Sequence, residues 1–473
     1  MQKSRQLVRP VRSRAGASTA TKQSVILEPR FGLLECVGIV LCVMIGTGIF
    51  VSPKGIVKEV KSVGSALVVW LISGILATFG ALCYAELGAA IPLSGGDYAY
   101  ILEAYGRLMG FLYLWDSLVL FVPTINAILA LVTATYTLQP FFSGDCKCPE
   151  FALQLIAAVY LSFLTFMNCR FLEATSKMQN VIMIAKVASV LVIIVAGVVY
   201  MCLGHLEHFD KPFENTNLEP GHVALAFYAG IYSFAGFNYL NFVTEELKNP
   251  YRNLPYAIFI ALPLVTVIYV LANMGFFAVL TVDECIGSDA IGITFGQRII
   301  GKYSVIIPIL VALSAFGGLS AHIMAAGRVF FAGARDGLMP TFLGHINVKY
   351  LTPMPALIIL CILSILMVLV GDVYVLIILA TIVEISFITL SVSSVIYFRF
   401  KSPNMPRPIK IPLIIPIIFV LICIFLIAVP AYVSPWEVGT AVGITILGIP
   451  VYYLCVIWQT KPMCFIRGMN RFT

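Results

Sequence analysis

The chain has 473 residues, of which 60% are hydrophobic and only 11% are charged. That balance excludes an ordinary soluble domain and a disordered chain, and places the protein in the membrane class. The net charge of +7 is no argument for nucleic acid, because the basic residues follow the pattern of the loops described below.

The first thirty residues are basic and polar and lack an apolar core segment, so they predict a disordered cytoplasmic tail (1–30) and not a signal peptide. Runs near 20 apolar residues then predict about twelve spans, near 31–57, 66–91, 108–137, 151–169, 178–203, 222–245, 255–280, 304–331, 355–370, 373–398, 411–431 and 438–458. The first is interrupted at its centre by Ile45-Gly46-Thr47-Gly48-Ile49-Phe50. Glycine costs a helix interior about 1 kcal/mol relative to alanine, and lipid penalises every unpaired backbone group. A break at that depth therefore predicts freed amides and carbonyls lining a cavity, which is how transporters build an intramembrane site for a zwitterion. Close packing at a small-residue patch is the alternative reading.

The turn-rich stretch Pro92-Leu93-Ser94-Gly95-Gly96-Asp97 precedes residues 98–105, whose apolar spacing is helical and predicts a re-entrant or interfacial segment. The sixth span carries a second interruption, Tyr232-Ser233-Phe234-Ala235-Gly236-Phe237-Asn238. Spans one and six lie five apart, so two five-span halves, 31–203 and 222–398, each begin with a broken helix. An odd number of spans per half makes the halves inverted, as in LeuT-type transporters. Two extra helices at 411–458 complete a domain over 31–460, and 461–473 forms a cytoplasmic C-terminal tail.

Orientation follows from charge. With both termini inside, roughly 22 of the 30 Lys and Arg fall on the cytoplasmic side. Of the twelve cysteines most lie inside apolar spans, where a small hydrophobe is expected; Cys146, Cys148 and Cys285 fall on the outer face, where disulfides form. No spacing resembles a metal site, and neither a metal nor a cofactor is expected. No constellation suits an intramembrane enzyme, and the polar residues are too isolated for a channel path.

The stretch from Ile45 to Gly55, Ile-Gly-Thr-Gly-Ile-Phe-Val-Ser-Pro-Lys-Gly, resembles the first-helix signature of the L-type amino acid transporters. These are light chains of heteromeric amino acid transporters, within the amino acid–polyamine–organocation superfamily. Ala85-Glu86-Leu87-Gly88, Ser94-Gly95-Gly96, the block from Asn241 to Glu246, the block from Asn249 to Pro255, and Arg407-Pro408-Ile409-Lys410 resemble the same family, over about residues 30–460.

The resemblance implies a sodium-independent plasma-membrane exchanger of neutral, large amino acids, disulfide-linked to a single-span glycoprotein heavy chain. It implies that the substrate carboxylate sits on amides near Gly46, Thr47 and Gly48. The ammonium would meet carbonyls near Val43, Met44, Ile45, Tyr232 and Ser233. Tyr232 matches the aromatic gate, Asn238 a substrate-proximal Asn, and Phe237 a position where many relatives carry Trp. Lys186, deep in the fifth span, matches a lysine that replaces a sodium ion; proton coupling through it, in a transporter working alone, is the alternative. Val122 stands where several members carry Arg or Lys. Glu384 stands at a variable position, where it would read a cationic side chain, pair with Lys186 or stay neutral. His322 is expected to be a satisfied interior histidine. Cys146 matches the register of the heavy-chain cysteine, with Cys148 as a competitor.

Overall fold

The computed structural model describes residues 32–457 except 92–94, 143–148, 289, 302–304, 346 and 348–351. Among these residues there are helices and no strands. A helix satisfies its backbone groups within one segment, which lipid demands. Chain order gives α1 (Leu33–Met44), α2 (Gly48–Val60), α3 (Val63–Ala90), α4 (Asp97–Tyr105), α5 (Arg107–Asp116) and α6 (Val122–Leu138). A π turn over Ser117–Phe121 joins α5 to α6. There follow α7 (Glu150–Arg170), α8 (Leu172–Cys202), α9 (Pro220–Phe234), α10 (Pro250–Val279), α11 (Val282–Gly287) and α12 (Ile291–Ile300). The chain closes with α13 (Ile306–Arg335), α14 (Met354–Val368), α15 (Val373–Lys401), α16 (Ile414–Val433) and α17 (Pro435–Tyr452).

Nine helices among the described residues are long and apolar enough to span a bilayer, and the pair α1 and α2, bent by 51°, adds a tenth. The expected sixth and ninth spans are the 15-residue helices α9 and α14, which are shorter. Large apolar side chains such as Phe163, Ile184, Phe259, Leu421 and Ile446 are exposed. That surface suits lipid and would be a liability in water. Inside, packing carries the cohesion that water would otherwise drive. A methyl on Gly197 of α8 would fall 2.3 Å from the Cα of Gly275, so α8 and α10 touch backbone to backbone.

The helices form two groups. The broken helices α1, α2 and α9 pack with α3 and α10, while α6, α7, α13 and α14 pack with one another. Helix α8 touches α10 in the first group and α13 in the second; α15 likewise meets α9 and α6. Both breaks therefore lie within one group.

The second break is shorter than the sequence predicts. Helix α9 continues through Phe234, so Tyr232 and Ser233 belong to its last turn, and the chain departs only at Ala235 (ψ 143°). Gly236 has φ +97°, a backbone conformation that costs glycine little and other residues much. A 3-10 helix over Tyr239–Glu246 follows. The segment after the turn at residue 95 is indeed helical, as α4, which at nine residues is too short to cross.

One buried ion cluster ties the end of α3 to the end of α15. The Arg399 guanidinium donates to Glu86 through Nε (2.9 Å) and Nη2 (2.6 Å), and Arg407 Nε lies 3.8 Å away from the same carboxylate. The Ile411 amide donates to Glu86 Oε2 at 3.0 Å. The resemblance segment at 407–410 thus serves as an anchor for the chain leaving α15.

Candidate functional site

The first break is built by Ile45, Gly46 and Thr47 between α1 and α2. Because α2 starts at Gly48, its first amides point into the break. In that turn the Phe50 and Val51 amides find an acceptor, the carbonyl of Thr47. The positive end of the α2 dipole reinforces those amides, so the break favours an anion without any cationic side chain. Thr47 is buried (3% exposed).

The second break faces the first. Thr47 Oγ1 and the Tyr232 hydroxyl stand 3.5 Å apart, and Ser233 Oγ donates to Ser52 Oγ at 2.7 Å. A methyl on Gly48 would fall 2.6 Å from the Cα of Ser233, whereas one on Gly46 would meet nothing closer than 3.8 Å. The two glycines therefore differ in role. Gly48 permits the crossing of α2 over α9, so the close-packing reading holds for it. Gly46 has room to spare.

Tyr269 of α10 locks the breaks together, a role without any signal in the local sequence. Its hydroxyl lies 2.5 Å from the Met44 carbonyl and 3.1 Å from the Ser233 carbonyl, one hydrogen serving two acceptors. Trp70 and Phe234 hold the ring, with centroids 5.5 and 5.0 Å away. The Tyr232 carbonyl accepts from the Ala235 amide at 3.3 Å. Each of these carbonyls keeps a second lone pair, so acceptors for an ammonium group remain beside the amides of α2.

Below the crossing, Asn238 Nδ2 donates to Asp97 Oδ2 at 2.9 Å, and the Tyr84 hydroxyl donates to Asp97 Oδ1. Asp97, which sequence reasoning treated only as part of a turn, is a buried carboxylate attached to the site. Glu384 on α15 has its Oε2 buried with no hydrogen-bond partner among the described residues. Tyr232, Tyr113 and Asp97 are its electrostatic neighbours.

Other expected site residues lie farther off or elsewhere. Lys186 is buried between α8 and α13, where a methyl on Gly318 would sit 3.9 Å from its Nζ, and Cys42 of α1 is nearby. No ion pair joins Lys186 to Glu384 among the described residues, and Glu384 Oε2 has no hydrogen-bond partner there. Phe237 packs edge-on against Tyr84 at 5.8 Å and lines an apolar crevice with Leu76, Ile385 and Phe419, so it faces α3 and α16. Val122 is buried at the start of α6, directly after the π turn. Such turns often mark functional positions.

His322 is satisfied, as expected: its Nδ1 lies 2.8 Å from Asn126 Oδ1, and Asn126 Nδ2 donates to Ser364 Oγ. Cys285 is free and buried in α11, and burial pushes its thiol up to about 12. Cys146, Cys148, Ser94 and both tails (1–30 and 461–473) lie outside the described residues.

The two facing breaks bring the N-terminal end of α2 beside the carbonyls that close α1 and α9. Comparison with known proteins gives the family. A family model described as "Amino acid permease" matches residues 31–458. The chain belongs to the amino acid permease family. Within it, this permease is similar to the large neutral amino acids transporter small subunit 2 of Homo sapiens, with 44% identity over 447 residues, 93% of this chain and 83% of the relative. It is 39% identical to the human cystine/glutamate transporter over 444 residues, covering 94% and 88% of the two chains. It is also 38% identical to the Asc-type amino acid transporter 1 of Mus musculus over 459 residues, covering 95% and 86%. These relatives place the permease in the L-type amino acid transporter family of light chains and outside the enzymes.

Proposed function

We propose that this permease is a sodium-independent exchanger of neutral L-amino acids, large ones foremost. It would work by alternating access as the light chain of a heteromeric transporter in the plasma membrane. The observation that carries the reading is the joining of the two breaks, Thr47 against Tyr232 with Tyr269 bridging Met44 and Ser233. In this reading the substrate carboxylate docks on amides around Thr47 and Gly48. The ammonium takes the carbonyls of Val43, Met44, Ile45 and the end of α9, and Tyr232 closes over the pair.

Twelve spans with both termini cytoplasmic, arranged as five plus five inverted plus two, accommodate the helices described. Helices α9 and α14 then count as the sixth and ninth spans. The buried Lys186 amine between α8 and α13 stands in for a sodium ion. Cys146 carries the disulfide to a glycoprotein heavy chain, a proposal drawn from the family resemblance alone.

The test is countertransport in proteoliposomes. Labelled leucine uptake should saturate, rise when unlabelled leucine is loaded inside, and stay unchanged when sodium is replaced by a large organic cation. Unsaturable flux without stimulation from the far side overturns exchange. Loss of uptake without sodium overturns the role given to Lys186. For the partner, Cys146→Ser should abolish the heterodimer band on a non-reducing gel of cells co-expressing a heavy chain; loss through Cys148→Ser instead would move the linkage.

One observation favours a second reading. Glu384 Oε2 is buried and unpartnered beside the gate, and a lone buried carboxylate is costly unless it meets a cation or holds a proton. A cationic side chain on the substrate would supply that cation. Arginine competing with leucine in the wild type but not in Glu384→Gln supports this reading, and no arginine competition at all excludes it.

A further inference from the structure

Helix α4 presents Asp97 and Tyr100, three residues apart and therefore on one helical face. In the 3-10 stretch after the second break, with three residues per turn, Asn238 and Asn241 also share a face. The two faces meet residue for residue. Asp97 Oδ2 accepts from Asn238 Nδ2 at 2.9 Å, and the Tyr100 hydroxyl donates to Asn241 Oδ1 at 3.0 Å. All four side chains are internally ordered. Tyr84 of α3 donates its hydroxyl to Asp97, its ring stands edge-on to Tyr100 at 6.1 Å, and Asn241 Nδ2 donates to the Asn238 carbonyl at 3.2 Å. Asp97 is 4% exposed, and Tyr84, Tyr100 and Asn241 are fully buried. The fit leaves no slack, since a methyl on Gly88 would fall 2.4 Å from Asn241 Oδ1.

Asp97 accepts through Oδ2 from one of the two flips of the Asn238 amide, the one with Nδ2 toward α4 and Oδ1 turned away. We propose that Asp97 and Tyr100 clamp the inner half of the broken sixth helix, holding Asn238 and Asn241 while the cytoplasmic side is closed. Opening toward the cytoplasm then requires α4 to release the 239–246 segment. The direction of opening rests on the orientation under the proposed function.

The test compares wild type, Asp97→Asn and Tyr100→Phe in oriented proteoliposomes, measuring the leucine KM from each side. Asparagine keeps the volume at 97 but permits both amide flips at 238; phenylalanine removes a single hydroxyl. The expected result is a KM from the cytoplasmic side altered roughly three- to tenfold, as the loss of one buried hydrogen bond implies, with the external KM held within about twofold. A purely structural role would lower the number of active molecules and the melting temperature while leaving the ratio of the two KM values alone, and an unchanged ratio in both variants overturns the proposal. A change confined to the external KM upholds the clamp and reverses the proposed orientation. Hydrogen exchange needs no transport: amides at 239–246 should exchange roughly tenfold faster in Asp97→Asn, with 220–234 unchanged, and equal exchange in both segments refutes the clamp even if leucine is not a substrate.

Discussion

The crossing of the two broken helices makes a sharp demand at Gly48. A Cβ there would lie 2.6 Å from Ser233 Cα, 2.9 Å from its Oγ and 3.0 Å from its Cβ, where ordinary contact begins at 3.4 Å. Accommodating it means parting α2 from α9 by about 0.8 Å, an overpacking that costs about 1–3 kcal/mol. The gain in helix propensity from Gly to Ala, at most about 1 kcal/mol in an interior, is smaller at a first-turn position. The net effect of Gly48→Ala is therefore destabilising. Parting the helices also lengthens the Thr47–Tyr232 contact, which at 3.5 Å has no reserve. Gly46→Ala is the control, because its methyl meets nothing closer than 3.8 Å and should shift stability by no more than about 0.5 kcal/mol. It nevertheless places a methyl in the break, so leucine uptake should fall while the fold holds. Thermal melting of purified protein separates the two, and uptake by the same preparations reads function. Because the nearest clashing atom is the Ser233 Cα, adding Ser233→Gly should not rescue Gly48→Ala. Wild-type stability in Gly48→Ala, or its rescue by Ser233→Gly, would refute the reasoning.

Further outcomes follow from single contacts. Tyr269→Phe removes the hydroxyl shared by Met44 and Ser233; it should cost about 0.5–1.5 kcal/mol in melting experiments and raise the leucine KM. Glu86→Gln leaves the partly buried Arg399 and Arg407 guanidiniums without a counter-charge, so stability should fall, by at most about 3 kcal/mol, seen as a drop in melting temperature. Lys186→Met should abolish sodium-independent uptake while the protein remains foldable; full activity in that variant would remove the amine from the mechanism. In α11 the Thr281 backbone amide, then the Arg298 charge, hold the Glu284 carboxylate below its ordinary 4.5. A lowered carboxylate stabilises the fold above its unfolded value and loses that contribution as pH falls through the lowered one. Glu284→Gln should therefore speed amide exchange in α11 slightly at neutral pH, by less than about 1 kcal/mol at this exposed cap, and make no difference in strong acid.

What the sequence could and could not reveal separates by range. Gly46-Thr47-Gly48 is legible because a local cost, glycine in a membrane helix, has to be repaid by something. The extent of the second break is not, since Tyr232, Ser233 and Phe234 are acceptable in a helix and only the φ of +97° at Gly236 forces the chain out. Glu384 announces itself as a charge in an apolar run, but its electrostatic neighbours come from three other elements. Tyr269 and Asp97 carry no local signal at all. A tyrosine in a span reads as an interface or core aromatic, and an aspartate after two glycines reads as a helix start. Each acquires its role only when α10 and α4 are laid against the breaks. Phe237 shows the converse, a residue whose position in sequence suggests the pocket but whose side chain packs on Tyr84.

That division bears on selectivity. In the proposed reading the backbone at the two breaks takes the carboxylate and ammonium that all amino acids share, which sets the class of substrate and nothing finer. Discrimination has to come from side chains that reach the site from outside the broken helices, and Glu384 is the strongest of these. Its Oε2 lies unpaired next to Tyr232, while Asp97 is already engaged by Asn238 and Tyr84. A neutral substrate leaves Glu384 with a proton to hold; a cationic one relieves it of that need. The two readings therefore differ in one response to Glu384→Gln. Leucine exchange should persist under either, because glutamine resembles the protonated acid, whereas arginine competition is there to be lost only if the substrate supplies the cation.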